Sequence, residues 1–127
     1  MEKQRVLVAE DYEDVRTLYE ECLERAGFHV VSAANGADAV ERVIESSPHA
    51  VLMDLQMPDV DGWEAIRRIR ALRLERRPYI LAITAHIAEG SRVDAYEAGA
   101  DDFVAKPISP DVICQIIHAA LKAATTA

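Results

Sequence analysis

The sequence predicts an α/β fold, a doubly wound parallel sheet with helices on both faces. Three observations lead there. Five short runs rich in β-branched residues recur along the chain, a segment with helical apolar spacing separates each run from the next, and the runs are apolar at nearly every position. Near-continuous apolarity means that both faces of each strand are covered, as happens in parallel sheets. Strict alternation then calls for right-handed crossovers, each returning the chain to the same edge through a helix.

The strand-like runs are Val6 to Ala9, His29 to Ala33, Ala50 to Met53, Tyr79 to Ile83, and Phe103 to Ala105. After the first run, Val15, Leu18, Tyr19, Cys22, Leu23 and Ala26 place an apolar stripe on one helix, and Gly27 stops it. Asn35 is a suitable cap for a second helix, about Gly36 to Ser46, with apolar positions Ala37, Val40, Val43 and Ile44, and Pro48 ends it. A third helix is expected to follow Gly62 with Ile66, Ile69 and Leu72 inward, and a fourth to run from about Ala88 to Ala98 before Gly99. For the fifth, Ser109 is the cap, Pro110 suits the first helical position, and Ile113, Ile116, Ile117, Ala120 and Leu121 form the buried stripe. Five strands of this kind fit the flavodoxin-like order 2-1-3-4-5, a three-layer sandwich whose ligands bind beyond the carboxyl ends of the strands.

Length and charge narrow the function classes. The 127 residues fit one domain, residues 1–127, with no repeat, linker or low-complexity segment. No apolar run approaches the roughly 20 residues needed to cross a bilayer, and no apolar segment of a secretory signal follows Met1-Glu2-Lys3-Gln4-Arg5, so a cytoplasmic, membrane-free protein is expected. A net charge of −8 argues against direct nucleic-acid binding. Arg67, Arg68, Arg70, Arg73, Arg76 and Arg77 are read as a solvated helix face near the negative end of a helix dipole, with a docking patch as the alternative. Cys22 and Cys114 stand far apart and outside any C-x-x-C pair, so a disulfide is not expected, and they are read as reduced, small, mostly buried side chains in preference to reactive or metal-binding thiols.

The residues at the carboxyl edge of the strands carry the chemistry. Glu10 and Asp11 follow the first strand, Asp54 the third, Thr84 the fourth and Lys106 the fifth. Any one of these would be an ordinary loop residue or cap, and the weight lies in their joint placement. Clustered carboxylates repel one another unless a cation fills the gap, and Mg2+ suits a few carboxylates shared with waters and a phosphate. Asp54 can then act as a nucleophile on a polarised phosphorus, giving an aspartyl phosphate. Lys106 opposes the charge of the phosphoryl oxygens, and the Thr84 hydroxyl can donate a hydrogen bond to one of them.

Glu10-Asp11, the run Leu52 to Pro58, Asp61-Gly62, Thr84-Ala85 and Lys106-Pro107 together resemble bacterial response-regulator receiver domains, over essentially the whole chain. The resemblance implies that Asp54 is the phosphoacceptor, that Asp11 is a direct Mg2+ ligand, that Glu10 acts on the metal through a water, and that the Gln56 backbone carbonyl completes the protein ligands. Glu10 stands where many family members carry Asp. Lys106-Pro107 resembles a dipeptide that is cis in the family. Phe103 resembles the family's switch aromatic, coupled to Thr84 and to the surface of the fourth helix, fifth strand and fifth helix; an ordinary core aromatic is the alternative. Gln56 and His86 flank the path of a hydrolytic water, where they would set the lifetime of the phosphoryl group, although His86 also reads as a solvated loop residue. His29, His49 and His118 lack metal-ligand spacing, and Met57 and Trp63 are expected beside the acidic site.

The resemblance also implies a phosphorelay: a histidine kinase or histidine phosphotransfer protein as donor, an unidentified output protein, and a monomer or weak dimer that is a switch rather than an enzyme. The stretch Asp54 to Pro58, with Thr84-Ala85 and Ala98 to Asp102, looks most like receivers of hybrid histidine kinases, and stand-alone receivers share it. Two rivals stand beside this reading. A pseudo-receiver would keep the fold as an interaction module without the chemistry. A haloacid-dehalogenase-type phosphatase would need a second Asp two positions after the nucleophile, where this chain has Gln56.

Overall fold

The computed structural model describes residues 3–85 and 90–126. Its order is β1 (Arg5–Ala9), α1 (Glu13–Arg25), β2 (His29–Ala33), α2 (Gly36–Ser46), β3 (Ala50–Asp54), α3 (Gly62–Ala71), β4 (Tyr79–Thr84), α4 (Ser91–Ala98), β5 (Asp102–Ala105) and α5 (Pro110–Thr126). The strands form one sheet in the order β2-β1-β3-β4-β5, and every pair is parallel. Fold class and strand order are as the sequence predicts.

The two-residue period of each strand sorts the core into two clusters. Leu7, Ala9, Val51, Met53, Ile80, Ala82 and Phe103 pack with residues of α2, α3 and α4, whereas Val6, Val8, Ala50, Leu52, Leu81 and Ile83 pack with residues of α1 and α5. Burial on both faces makes the runs of β1, β3 and β4 continuous rather than alternating, whereas the edge strands β2 and β5 are only partly buried.

Local signals act as expected at several helix ends. Asn35 accepts from the Asp38 amide at 2.8 Å, Ser109 Oγ accepts from the Asp111 amide at 3.2 Å, and Gly27 turns the chain after α1 at φ +101°. Others differ. Gly90 adopts φ +88° and caps α4, so the described helix begins at Ser91; the expected start near Ala88 lies outside the described residues. Leu18 and Ile44 are exposed instead of inward, because Tyr19, Cys22 and Leu23 complete the buried face of α1 and Gly36, Ala39 and Val43 that of α2. Leu72 is inward as expected, half-buried against the same cluster as Ile66 and Ile69, although it sits at the C-cap of α3.

The arginine-rich stretch divides. Arg67 and Arg68 pair with Glu64 on an exposed face, as read from the sequence. Arg70 does not: its guanidinium donates to the Gly99 carbonyl, the Pro78 carbonyl and Asp101 Oδ2, each at 2.8 Å. Asp101 in turn accepts from Arg77 and from the Ile80 amide, so one half-buried ion pair ties α3 to the entries of β4 and β5. Removing it leaves the Gly99 and Pro78 carbonyls without this donor and takes one of three donors from the Asp101 carboxylate. Arg70→Met is expected to cost about 2 to 3 kcal/mol, while Arg67→Met changes stability by less than about 0.5 kcal/mol; the urea midpoints of the two variants test the contrast.

Candidate functional site

Parallel strands present their carboxyl ends along one edge, and the register sets the residues there side by side. Ala9 pairs with Met53, so Glu10 stands level with Asp54; Asp54 pairs with Ile83, and Thr84 with Ala105, the residue before Lys106. The Glu10 amide is held by the Ala33 carbonyl and the Lys106 amide by the Thr84 carbonyl, which extends the ladder past the strand ends. α3 starts directly behind Asp54. Gly62 donates to the Leu55 carbonyl at 3.1 Å, and a Cβ there would collide with the Asp54 carbonyl oxygen and Leu55 Cα.

Glu10, Asp54 and Lys106 meet in this edge. Lys106 Nζ lies 2.7 Å from Glu10 Oε1 and 3.0 Å from Asp54 Oδ2. Asp54 Oδ1 accepts from the Gln56 amide at 2.8 Å, so both carboxylate oxygens are held. Glu10 is 1% exposed and Asp54 4%. Asp11 completes the cluster, and its Oδ1 is buried with no hydrogen-bond partner. One oxygen from each of Glu10, Asp11 and Asp54 lies within 4.8 Å of the others.

This crowding has an electrostatic signature. Burial first, then the neighbouring Asp54, pushes the Glu10 carboxyl up to about 7, with Lys106 opposing the shift. Burial alone would lower the pKa of Lys106, but its hydrogen bonds to Glu10 and Asp54 outweigh that and raise it, so the amine stays an ammonium. A three-carboxylate donor set with an unpartnered buried oxygen fits a hard divalent cation, and among the described residues no soft ligand joins the cluster.

The remaining expected residues take varied places. Thr84 is fully buried at the end of β4. Gln56 is exposed apart from its amide contact with Asp54, and Lys106-Pro107 is a cis peptide. His86 lies outside the described residues. Phe103 is 5% exposed in the cluster on the α4 side, with the Arg92 guanidinium 5.2 Å from its ring centroid. The sequence does not single out Arg92; nothing in its local pattern shows that α4 crosses β5 at this ring. Met57 and Trp63 join the hydrophobic cluster of α2, α3 and α4.

A family model described as the response regulator receiver domain matches residues 6–118. The chain belongs to that family. This receiver is 35% identical over 121 residues to the transcriptional regulatory protein ResD of Bacillus subtilis, a match covering 95% of the receiver and 49% of ResD. It is 32% identical over 117 residues to the transcriptional regulatory protein SrrA of Staphylococcus aureus, covering 92% and 47%. The chain thus spans about half the length of the curated relatives it matches. Among solved structures, the receiver domain of the sensor histidine kinase PA1611 from Pseudomonas aeruginosa, described with a magnesium ion coordinated in its active site cleft, superposes with a TM-score of 0.85 at 33% identity, covering 95% of this chain and 99% of that one.

Family membership makes the protein a signalling domain of two-component systems and removes the ground for a haloacid-dehalogenase-type phosphatase. No helix of the described residues is long and apolar enough to cross a membrane.

Proposed function

We propose that this receiver takes a phosphoryl group onto Asp54 from a histidine kinase or a histidine phosphotransfer protein, in a Mg2+-dependent reaction. The observation that carries the reading is the Asp54 carboxylate, held by Lys106 and the Gln56 amide inside a three-acid cluster whose Asp11 oxygen has no partner. An Asp54 carboxylate oxygen forms a bond to phosphorus as the bond to the donor's leaving nitrogen breaks, and the product is an acyl phosphate. Asp11, Asp54 and the Gln56 carbonyl, with Glu10 through a water, would hold the metal, which when bound supplies charge neutralisation for the phosphoryl oxygens.

Lys106 stays protonated throughout and exchanges part of its contact with Asp54 for a phosphoryl oxygen. Thr84 offers its hydroxyl to another. The added charge draws Thr84 toward the site and changes the space available to Phe103, which shifts the surface of α4, β5 and α5 between two populated forms. Arg92, stacked on Phe103, connects that shift to α4. Gln56 and His86 would set the rate of the slow hydrolysis that ends the signal. The net charge of −8 disfavours direct contact between this domain and nucleic acid, so the switched surface acts on protein, in an attached domain or a separate partner.

Incubation with acetyl phosphate and Mg2+ tests this directly. The wild-type chain is expected to gain one phosphoryl adduct in its intact mass, and Asp54→Asn or removal of metal with EDTA to prevent it. An adduct of equal yield on Asp54→Asn rejects the assignment.

A further inference from the structure

Two thiols that the sequence separates by 92 positions meet in the core between α1 and α5. Cys114 Sγ donates to Cys22 Sγ at 2.8 Å, and Cys22 Sγ donates to Asp111 Oδ1 at 3.3 Å. Both are free cysteines, 6% and 8% exposed. The wide spacing that argued against a disulfide is therefore no obstacle, because the fold removes it. A metal is not the reading: among the described residues the group with three metal-capable side chains is Glu10, Asp11 and Asp54.

We propose that Cys22 and Cys114 are a modification site, a dithiol that a small-molecule disulfide oxidises to an internal crosslink stapling α1 to α5. Closing the pair to the bonded length of about 2.05 Å requires a sulfur displacement of under an ångström, within the reach of side-chain rotation. The exchange proceeds in two displacements. Cys22 gives its proton to Asp111 and attacks one sulfur of the small disulfide, and the departing thiolate takes that proton from Asp111 to leave as the first thiol. Cys114 then attacks Cys22 Sγ in the mixed disulfide, forms the internal S–S bond and releases the second thiol, which takes the Cys114 proton. Two protein thiols are oxidised and one disulfide is reduced to two thiols, so electrons and protons balance.

The environment sets the character of this site. Burial and the Cys22 neighbour push the Cys114 thiol up to about 12, so it is protonated at neutral pH. Low exposure of both sulfurs and the scarcity of Cys114 thiolate make the dithiol slow to close, unlike a fast sensor cysteine. The crosslink, once formed, closes a long loop and holds two helices that the core already packs together. A bond that stabilises the fold is reciprocally stabilised by it.

The test equilibrates the full chain in glutathione redox buffers, folded and in urea, followed by acid quench, mass measurement and peptide mapping. In the folded protein the expected product has lost two hydrogens, carries no glutathione and joins the Cys22 and Cys114 peptides. Half-oxidation is expected at a glutathione balance at least tenfold more reducing than for the chain in urea. The thermal midpoint of the oxidised form should rise by about 5 °C or more, and Cys22→Ser or Cys114→Ser should show no such rise. Stable glutathione adducts on single cysteines, half-oxidation at the same balance in urea, or a lower midpoint for the crosslinked wild type would each overturn the proposal; the wild-type measurements decide it even if a serine variant fails to fold.

Discussion

Lys106→Met is expected to slow phosphoryl uptake from acetyl phosphate by about a hundredfold or more. The ammonium bridges Glu10 and Asp54, and on the proposed reaction it follows the charge onto the phosphoryl oxygens. Its loss therefore removes an interaction that is strongest when the new bond forms. The same change acts on the resting fold. Without the cation, Glu10, Asp11 and Asp54 face one another with no counter-charge, and because the lysine side chain is 20% exposed, solvent screens part of the conflict. A loss of about 2 kcal/mol is expected, and saturating Mg2+ should recover most of it by restoring positive charge. Rates from intact mass and urea midpoints with and without metal separate the two effects. A variant that reacts at the wild-type rate would remove Lys106 from the chemistry.

The second large effect is on pH. The folded protein holds the Glu10 proton up to about pH 7, whereas the unfolded chain releases it near the ordinary value of 4.5. Between these values the folded state binds more protons, so metal-free stability falls as pH rises through the window, by about 3 kcal/mol at most. Below 4.5 both states are protonated at Glu10 and the effect is flat. On the proposed metal site, Mg2+ is expected to oppose this trend, since a cation competes with the proton for the same acids. Stabilisation by Mg2+ should thus grow by about tenfold in apparent affinity between about pH 5.5 and 7.5. Thermal midpoints measured with EDTA and with Mg2+ across that range should diverge as pH rises; parallel curves would show that Glu10 does not report on the metal site.

Much of this arrangement was legible in the residues. Continuous β-branched runs name the strands, parallel strands share one carboxyl edge, and the acids, the threonine and the lysine each come directly after a run. The register needed no more than that. Side-chain geometry was less accessible. Lys106 contacts Glu10 as closely as Asp54, which depends on how far a long side chain reaches across two strands. Arg70 looks like its neighbours Arg67 and Arg68 in sequence, yet only Arg70 faces Gly99 and Asp101, because burial on a helix is decided by what packs opposite it. Leu18 and Ile44 fit the apolar period of their helices but fall at the edge of the stripe, where small shifts in helix roll expose a side chain. Cys22 and Cys114 meet only through the packing of the first helix on the last, and no local pattern carries that contact. Gly90, read as part of a helix, marks its beginning because its left-handed conformation cannot continue one.

The most direct measurement is a crystal structure of the protein with Mg2+ and beryllium fluoride, a mimic of the bound phosphoryl group. Density for the fluoride adduct is expected on an Asp54 carboxylate oxygen, with the metal against Asp11 and Asp54 and Lys106 Nζ turned to a fluorine. An adduct on a different side chain, or a metal held away from the Glu10, Asp11 and Asp54 cluster, would contradict the account.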